Sequence, residues 1–296
     1  MVNDGSTDDT TDLLRKWASQ QDNIRVIEQN NQGQGHARNA GFLVSSGRYI
    51  LFADVDDFFD PRIASEPVDL AEELNSDILE FGFRDWNVDE SPLPTTYGSR
   101  PKATRLSPRS AFFELFPAAW GKVYSADYLR RVGVRYPGYK YEDNVEIQRL
   151  CCEGGNFHKT PQVYYFYFQN PHGTVRTSRN KLDLFSAIQD LENLVAKYPE
   201  YTCELLVRIE SLLADLEDSL HRASEPWAVE SRGDVAVLKR RLAPAILDNP
   251  YYRLPRQLEA GRKRKGLALA REKVKSLVAV FGYRGKKDPN DRWSNP

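Results

Sequence analysis

The sequence predicts an α/β domain over residues 1–178, followed by an all-helical domain over residues 179–296. Three observations predict it. Short apolar runs alternate with helix-like segments up to about residue 178. The run Tyr49-Ile50-Leu51-Phe52-Ala53 is continuously apolar, which suits a central parallel strand covered on both faces. From about Lys181 onward only amphipathic helical patterns remain. A chain of 296 residues is long enough for two such parts.

Taken in order, Ser6 to Trp17 reads as a helix start. Ser6 and Asp9 form a candidate capping box, and Leu13, Leu14 and Trp17 give an apolar face. Residues 24–27 are a short strand candidate, and residues 30–35 a turn-rich polar loop. A small-residue helix with Ala37, Ala40 and Val44 ends at Gly47. The strand over 49–53 runs straight into Asp54-Val55-Asp56-Asp57. Ligands of open α/β sheets bind at the carboxyl ends of strands, so these acids are a site candidate. Residues 70–74 are helical and 78–83 a strand, while 91–108 read as a loop. An aromatic segment follows over 112–124, then a short helix over 125–131 and a loop with Tyr136, Tyr139 and Tyr141. A helix over 144–152 turns Val145, Ile147, Leu150 and Cys151 inward, and 163–168 is an aromatic strand. Helices follow over 182–195, 205–220, 235–247 and 255–280, with Pro226, Pro244 and Pro250 as breaks.

Composition excludes several classes. With 41% apolar, 28% charged and 11% aromatic residues, the chain is neither disordered, collagen-like nor a coiled-coil array. Three cysteines, two of them adjacent, argue against a disulfide framework or a Cys-based zinc site. Cys151 and Cys152 read as helix packing. The net charge of -1 hides an uneven spread: residues 250–287 carry a net charge of +10 and residues 1–249 about -10. No run of 18 apolar residues and no basic-then-apolar leader occur, so the expectation is a cytoplasmic protein. Its basic stretch over 253–287 could rest on the anionic inner face of the membrane.

Asp54 and Asp56, two apart at a strand end, could share a hard divalent ion such as Mg²⁺ or Mn²⁺ against a diphosphate. They could equally form a solvated turn in which Asp57 or Asp60 caps a helix before Pro61. Asp143 could cap a helix starting at Asn144, with Glu146 completing a capping box.

Five segments in order carry a resemblance. They are Asn3-Asp4-Gly5-Ser6-Thr7-Asp8, residues 31–41 from Asn31-Gln32-Gly33 to Ala37-Arg38-Asn39-Ala40-Gly41, residues 47–57, Trp120-Gly121-Lys122-Val123-Tyr124, and Tyr141-Glu142-Asp143. Over residues 1–178 the chain resembles family 2 glycosyltransferases, the inverting GT-A enzymes of bacterial surface-glycan synthesis. The resemblance implies a Rossmann-like mixed sheet and a nucleotide-sugar donor, with uracil as the base. Asp4 would contact that base, and Arg38 would lie close to the nucleotide in a loop whose turn Gly33 permits. Asp54 and Asp56 would form the DxD signature, Asp56 as ligand of Mn²⁺ or Mg²⁺ and Asp54 on the ribose or the ion. Asp57 would position donor-sugar hydroxyls. Asp143 would be the catalytic base, with Glu142 next in line.

That chemistry suits these residue types. A divalent ion offsets the charge of a departing diphosphate, and inversion needs one base on the opposite face. Trp120 could form an acceptor wall or be core, and Lys122 could meet an anion or solvent. Tyr139 and Tyr141 could line the acceptor cleft, and His172 could close over donor phosphates or face solvent in its turn. The resemblance also implies a first strand, a helix and a second strand ahead of the Asp-Gly-Ser turn. The sheet is therefore expected to be N-terminally incomplete, in a chain that starts upstream or is a truncated transferase. Two other classes remain open: a noncatalytic nucleotide- or glycan-binding protein, and a nucleic-acid binder using Arg262-Lys263-Arg264-Lys265.

Overall fold

A computed structural model describes residues 1–86, 102–168 and 178–252. His172 and the basic stretch over 253–287, including residues 262–265, lie outside the described residues.

The order begins β1 (Val2–Asn3), α1 (Thr10–Gln20), β2 (Ile27–Glu28), α2 (Gln34–Leu43), β3 (Tyr49–Ile50) and β4 (Phe58–Phe59). A 3-10 turn (Pro61–Ala64), α3 (Glu66–Glu73), β5 (Ile78–Trp86), β6 (Thr104–Arg105), α4 (Pro108–Glu114) and β7 (Lys122–Ser125) follow. Then come α5 (Ala126–Val132), α6 (Glu142–Glu153) and β8 (Phe157–Phe168). The helices α7 (Asp183–Lys197), α8 (Thr202–Arg222) and α9 (Pro226–Asp248) complete the described chain.

β1 and β2 pair in parallel as a small sheet of their own. The main sheet runs β3-β7-β5-β8-β4, with β6 also on β8. Its spine is the parallel β5–β8 pair, while β3, β4, β6 and β5–β7 pair antiparallel. The mixed α/β sheet followed by helices fits a Rossmann-like nucleotide-sugar-binding fold.

The apolar run over 49–53 departs from the expected central parallel strand. Only Tyr49–Ile50 pair, antiparallel to β7 and at one end of the strand order, with Phe52 adding a single parallel bridge to Trp120. Its continuous polarity still has a cause. Ile50 and Phe52 pack into one hydrophobic cluster, while Tyr49 and Leu51 pack into the other. Alternate side chains point to opposite faces, so burial on both faces needs no central position.

The first cluster joins Ile78 and Tyr124 to Phe112, Leu129 and Leu150, then runs through Leu184, Leu205 and Leu216 to Ile246. The helices after residue 178 thus share buried surface with the sheet's helical cover. The second cluster gathers Leu79, Phe81, Trp120, Val123, Tyr164 and Tyr165 against Leu70 and Ala71 of α3. Cys151 and Cys152 are buried on α6, and burial pushes the Cys151 thiol up.

Two local expectations shift. α1 starts at Thr10, because Ser6 is held in a turn by the Asn3 Oδ1 acceptor at 2.9 Å. No residue of α1 is buried, and Leu13 and Trp17 are more than half exposed. Pro226 starts α9 rather than breaking it, and Pro244 sits inside that helix.

Candidate active site

The site is built where α2, the end of the 49–53 segment and the start of α6 converge. The docking of α2 explains the convergence. Gly33 adopts φ +91° at the helix entrance, a conformation suited to glycine. A Cβ on Gly35 would fall 2.0 Å from the Pro137 carbonyl oxygen, so α2 lies directly against the 136–138 loop. Asn39 clamps the same loop: Nδ2 donates to the Tyr136 carbonyl at 2.7 Å, and Oδ1 accepts from the Tyr136 amide at 2.9 Å. This contact carries Arg38 to the start of α6. Gly35→Ala should therefore lower stability by about 1–3 kcal/mol in urea melts, because its methyl meets backbone rather than a movable side chain.

Arg38 is nearly buried and bridges two carboxylates. Its Nη2 donates to Asp54 Oδ1 at 2.9 Å, and its Nη1 donates to Glu142 Oε1. The guanidinium also lies 5.7 Å from the Tyr136 ring centroid. Burial opposes its charge, but Asp54, Glu142 and Asp143 outweigh that and raise its pKa. In this structure its hydrogen bonds go to these carboxylates, where the resemblance implied a place beside the nucleotide.

Glu142 is fully enclosed, and its Oε2 makes no hydrogen bond among the described residues. Burial and the neighbouring Asp143 raise its pKa to about 7, against the pull of Arg38. Asp143 is half-buried, and Asn144 donates to its Oδ1 from the backbone at 2.9 Å and from Nδ2 at 3.1 Å. Burial likewise raises the Asp143 pKa, with Arg38 pulling down and Asp54 pushing up. Asp143 is not the helix cap. Tyr141 occupies that position with φ +68° and ψ +21°, so α6 starts at Glu142 with both acids in its first turn. Acids there are favoured by the helix dipole.

The acid turn divides its roles. Asp57 is buried, with Tyr165 Oη donating to Oδ2 at 2.5 Å and the Phe168 amide to Oδ1 at 2.8 Å. Both oxygens thus accept hydrogen bonds within the fold. Burial raises its pKa to about 6, opposed by those two hydrogen bonds. Tyr165 Oη also accepts from the Asp54 amide at 3.2 Å, so one phenol fixes both ends of the turn. Tyr165 is a positioning residue that the sequence did not single out.

Asp56 is exposed and Asp54 is partly exposed. Among the described residues no group of three or more His, Cys, Asp or Glu is placed to hold a metal ion. Mg²⁺-type sites often use one or two carboxylates, with substrate phosphates and water supplying the rest. Asp56 is exposed two residues from Asp54, whose Oδ1 accepts from Arg38.

Asp4 is placed at a loop junction. Its Oδ1 accepts from Gln29 Nε2 at 2.7 Å and the Gln32 amide at 2.9 Å, and its Oδ2 from the Gly33 amide at 2.7 Å. It ties the first turn to the loop entering α2.

Of the expected acceptor residues, Lys122 and Trp120 lie in the interior. Lys122 is fully buried: its Nζ lies 3.0 Å from Glu80 and donates to the carbonyls of Phe116 at 2.7 Å and Ala118 at 2.9 Å. It is held inside the sheet by these contacts. Trp120 is core, stacked on Tyr165 at 4.7 Å and 3° and on Tyr167 at 5.5 Å. Tyr141 is half-buried, with Lys181 Nζ 4.7 Å from its ring centroid. Tyr139 donates to Asp190 of α7 at 2.5 Å, which ties it to the helical segment.

Residues 1–133 match the profile described as glycosyl transferase family 2. The homology is to family 2 glycosyltransferases. The glycosyltransferase YibD of Escherichia coli (strain K12) is 33% identical over 191 residues, covering 60% of this chain and 55% of YibD. The poly(ribitol-phosphate) beta-N-acetylglucosaminyltransferase TarS of Staphylococcus aureus (strain MW2) is 24% identical over 223 residues, covering 74% of this chain and 36% of TarS. The chain spans about half the length of the first curated relatives it matches. The fold resembles the crystal structure of S. aureus TarS 1-349 in complex with UDP-GlcNAc, with TM-score 0.51 and 15% identity over 74% of this chain and 73% of that one. Among the described residues no helix is long and apolar enough to cross a membrane.

Proposed function

We propose that this chain is an inverting glycosyltransferase of the GT-A type. It moves a sugar from a UDP-linked donor to a hydroxyl of a glycan or lipid-linked acceptor in surface polysaccharide synthesis. The observation that carries this reading is the meeting of Asp54, Arg38 and the Glu142–Asp143 pair in one partly buried ion cluster at the sheet end. Homology to family 2 glycosyltransferases, and the UDP-GlcNAc held by the similarly folded TarS 1-349, support the donor class.

In this reading Asp143 accepts the proton of the acceptor hydroxyl as its oxygen forms the new bond to the anomeric carbon. The bond from that carbon to the diphosphate oxygen breaks on the opposite face. No covalent enzyme intermediate forms. Arg38 and Glu142 hold the base-bearing helix start against the acid turn. Tyr165 and Asp57 hold the turn itself, and Asp4 holds the nucleotide-side loop. Asp56 with Asp54 would hold Mn²⁺ or Mg²⁺, which offsets charge on the leaving diphosphate when bound. The basic residues over 253–287 would set the cleft near an anionic membrane surface.

A screen of nucleotide-sugar donors with Mn²⁺ or Mg²⁺, reading released UDP, tests the proposal. Burial holds protons on the Glu142–Asp143 pair above the usual carboxylate range, and the base must be ionised. Turnover should therefore rise with pH as Asp143 loses its proton, with the acid limb displaced upward from the usual carboxylate range. UDP release by no donor would refute the assignment.

A further inference from the structure

We infer that Asp183 and Asp190 of α7 are positioning residues for the base: from the helical segment they hold the turn that presents Asp143. This rests on the transferase reading and deepens it. The turn does not form by local preference. Tyr141, two residues ahead of Asp143, has φ +68°, a left-handed conformation rare for a bulky aromatic residue. Such a conformation persists only where the surroundings over-determine it. The backbone entering α6 therefore has to be held from outside.

It is held on two sides. On one, α2 lies against the Pro137 carbonyl at Gly35, and Asn39 makes two hydrogen bonds to the Tyr136 backbone. On the other, the three residues leading into α6 each meet the helical segment. Asp190 Oδ2 accepts from Tyr139 Oη at 2.5 Å. Asp183 Oδ2 accepts from the Lys140 amide at 2.8 Å. Lys181 Nζ lies 4.7 Å from the Tyr141 ring centroid and is itself paired with Asp215 of α8 at 2.5 Å.

The spacing along α7 suits this task. Asp183 and Asp190 stand seven residues apart, two helical turns, so they project from the same face. Both are half-buried. Between them Leu184, Ala187 and Ile188 are buried in the cluster against which Tyr139 and Tyr141 pack. The contact to Lys140 is the more direct of the two, because it fixes backbone three residues ahead of Asp143.

The test uses the full chain with Asp183→Ala, Asp183→Asn and the double variant Asp183→Ala/Asp190→Ala. Each is read by UDP release at saturating donor, UDP affinity, urea unfolding and hydrogen exchange over residues 139–146. Asp183→Asn gives up the charge favoured in the first turn of α7 but keeps a carbonyl oxygen for the Lys140 amide. It thus separates helix stability from the contact. Asp183→Ala should lower turnover by about 10- to 100-fold, the scale of a misplaced reacting group, with UDP affinity unchanged. The double variant should lose more, and Asp183→Asn should keep most of the turnover. Exchange over 139–146 should quicken in Asp183→Ala while that of the β5–β8 pair stays as in wild type. Wild-type turnover in the double variant would overturn the role. So would an equal loss of UDP affinity, or an Asp183→Asn variant as impaired as Asp183→Ala, since α7 would then act only on stability. Failure of the underlying reading is separable. If wild type releases UDP from no donor, the transferase reading falls, and the exchange comparison still decides whether α7 holds the Asp143 turn.

Discussion

Asp143→Asn should lower donor-dependent UDP release by about 10²–10⁴-fold while leaving the fold and UDP affinity intact. The amide keeps an oxygen that can accept from Asn144, as Asp143 Oδ1 does at 2.9 Å, so the start of α6 should survive. It cannot take the acceptor's proton. Glu142 cannot substitute, because its side chain is fully enclosed and one oxygen is paired with Arg38. Glu142→Gln separates the two acids. It should keep measurable turnover, since the amide oxygen can still receive the Arg38 donor. Loss in Glu142→Gln as deep as in Asp143→Asn would move the base to Glu142. Circular dichroism and UDP titration on each variant keep folding losses apart from chemical ones.

Arg38→Met should cost about 3–5 kcal/mol in urea unfolding, the scale of breaking a buried ion pair by removing one partner. The change strands Glu142, which is fully enclosed and has one oxygen already without a partner among the described residues. It also releases Asp54, which Arg38 holds at 2.9 Å. Arg38→Lys should not restore stability, because a single ammonium lacks the fork that reaches two carboxylates. Adding Glu142→Gln to Arg38→Met should recover part of the loss, because the stranded group is then neutral. A double-mutant cycle measures this coupling, expected at about 0.5–3 kcal/mol. Additive losses would show that Arg38 and Glu142 do not support each other.

The sequence carried more of the site than of its wiring. The acids at 54, 56 and 57 were legible because a strand-like run ends on them, and Gly33, Arg38 and Asp143 were legible through ordered short motifs. The pairing of Arg38 with Glu142 was not, because the partners stand 104 residues apart and ion pairs impose no periodicity. The inward turn of Asp57 was hidden for the same reason: its donors, Tyr165 and Phe168, lie 108 and 111 residues on. Trp120 and Lys122 misled because residue type does not report burial. The lysine is satisfied by Glu80 and carbonyl oxygens inside the sheet, and the tryptophan by stacked tyrosines.

The fold was legible in element type and less so in pairing. Residues 78–83 and 163–168 read as strands and form the β5–β8 spine. The 49–53 run read as central and parallel, yet it pairs at one end of the strand order and antiparallel. Both arrangements bury two faces, so hydrophobic pattern alone cannot separate them. The helices after residue 181 were visible from their stripes. Their shared packing with α4 and α6 was not, because amphipathicity fixes which face is buried and not against what.

We propose that Asp56, with Asp54, prepares a divalent-ion-assisted nucleotide site. Calorimetric titration with UDP, with and without Mn²⁺, tests it most directly. UDP binding should strengthen markedly with Mn²⁺, be lost in Asp56→Ala and be kept in Asp143→Asn. UDP binding equally tight without the ion and in Asp56→Ala, or no UDP binding at all, would contradict it.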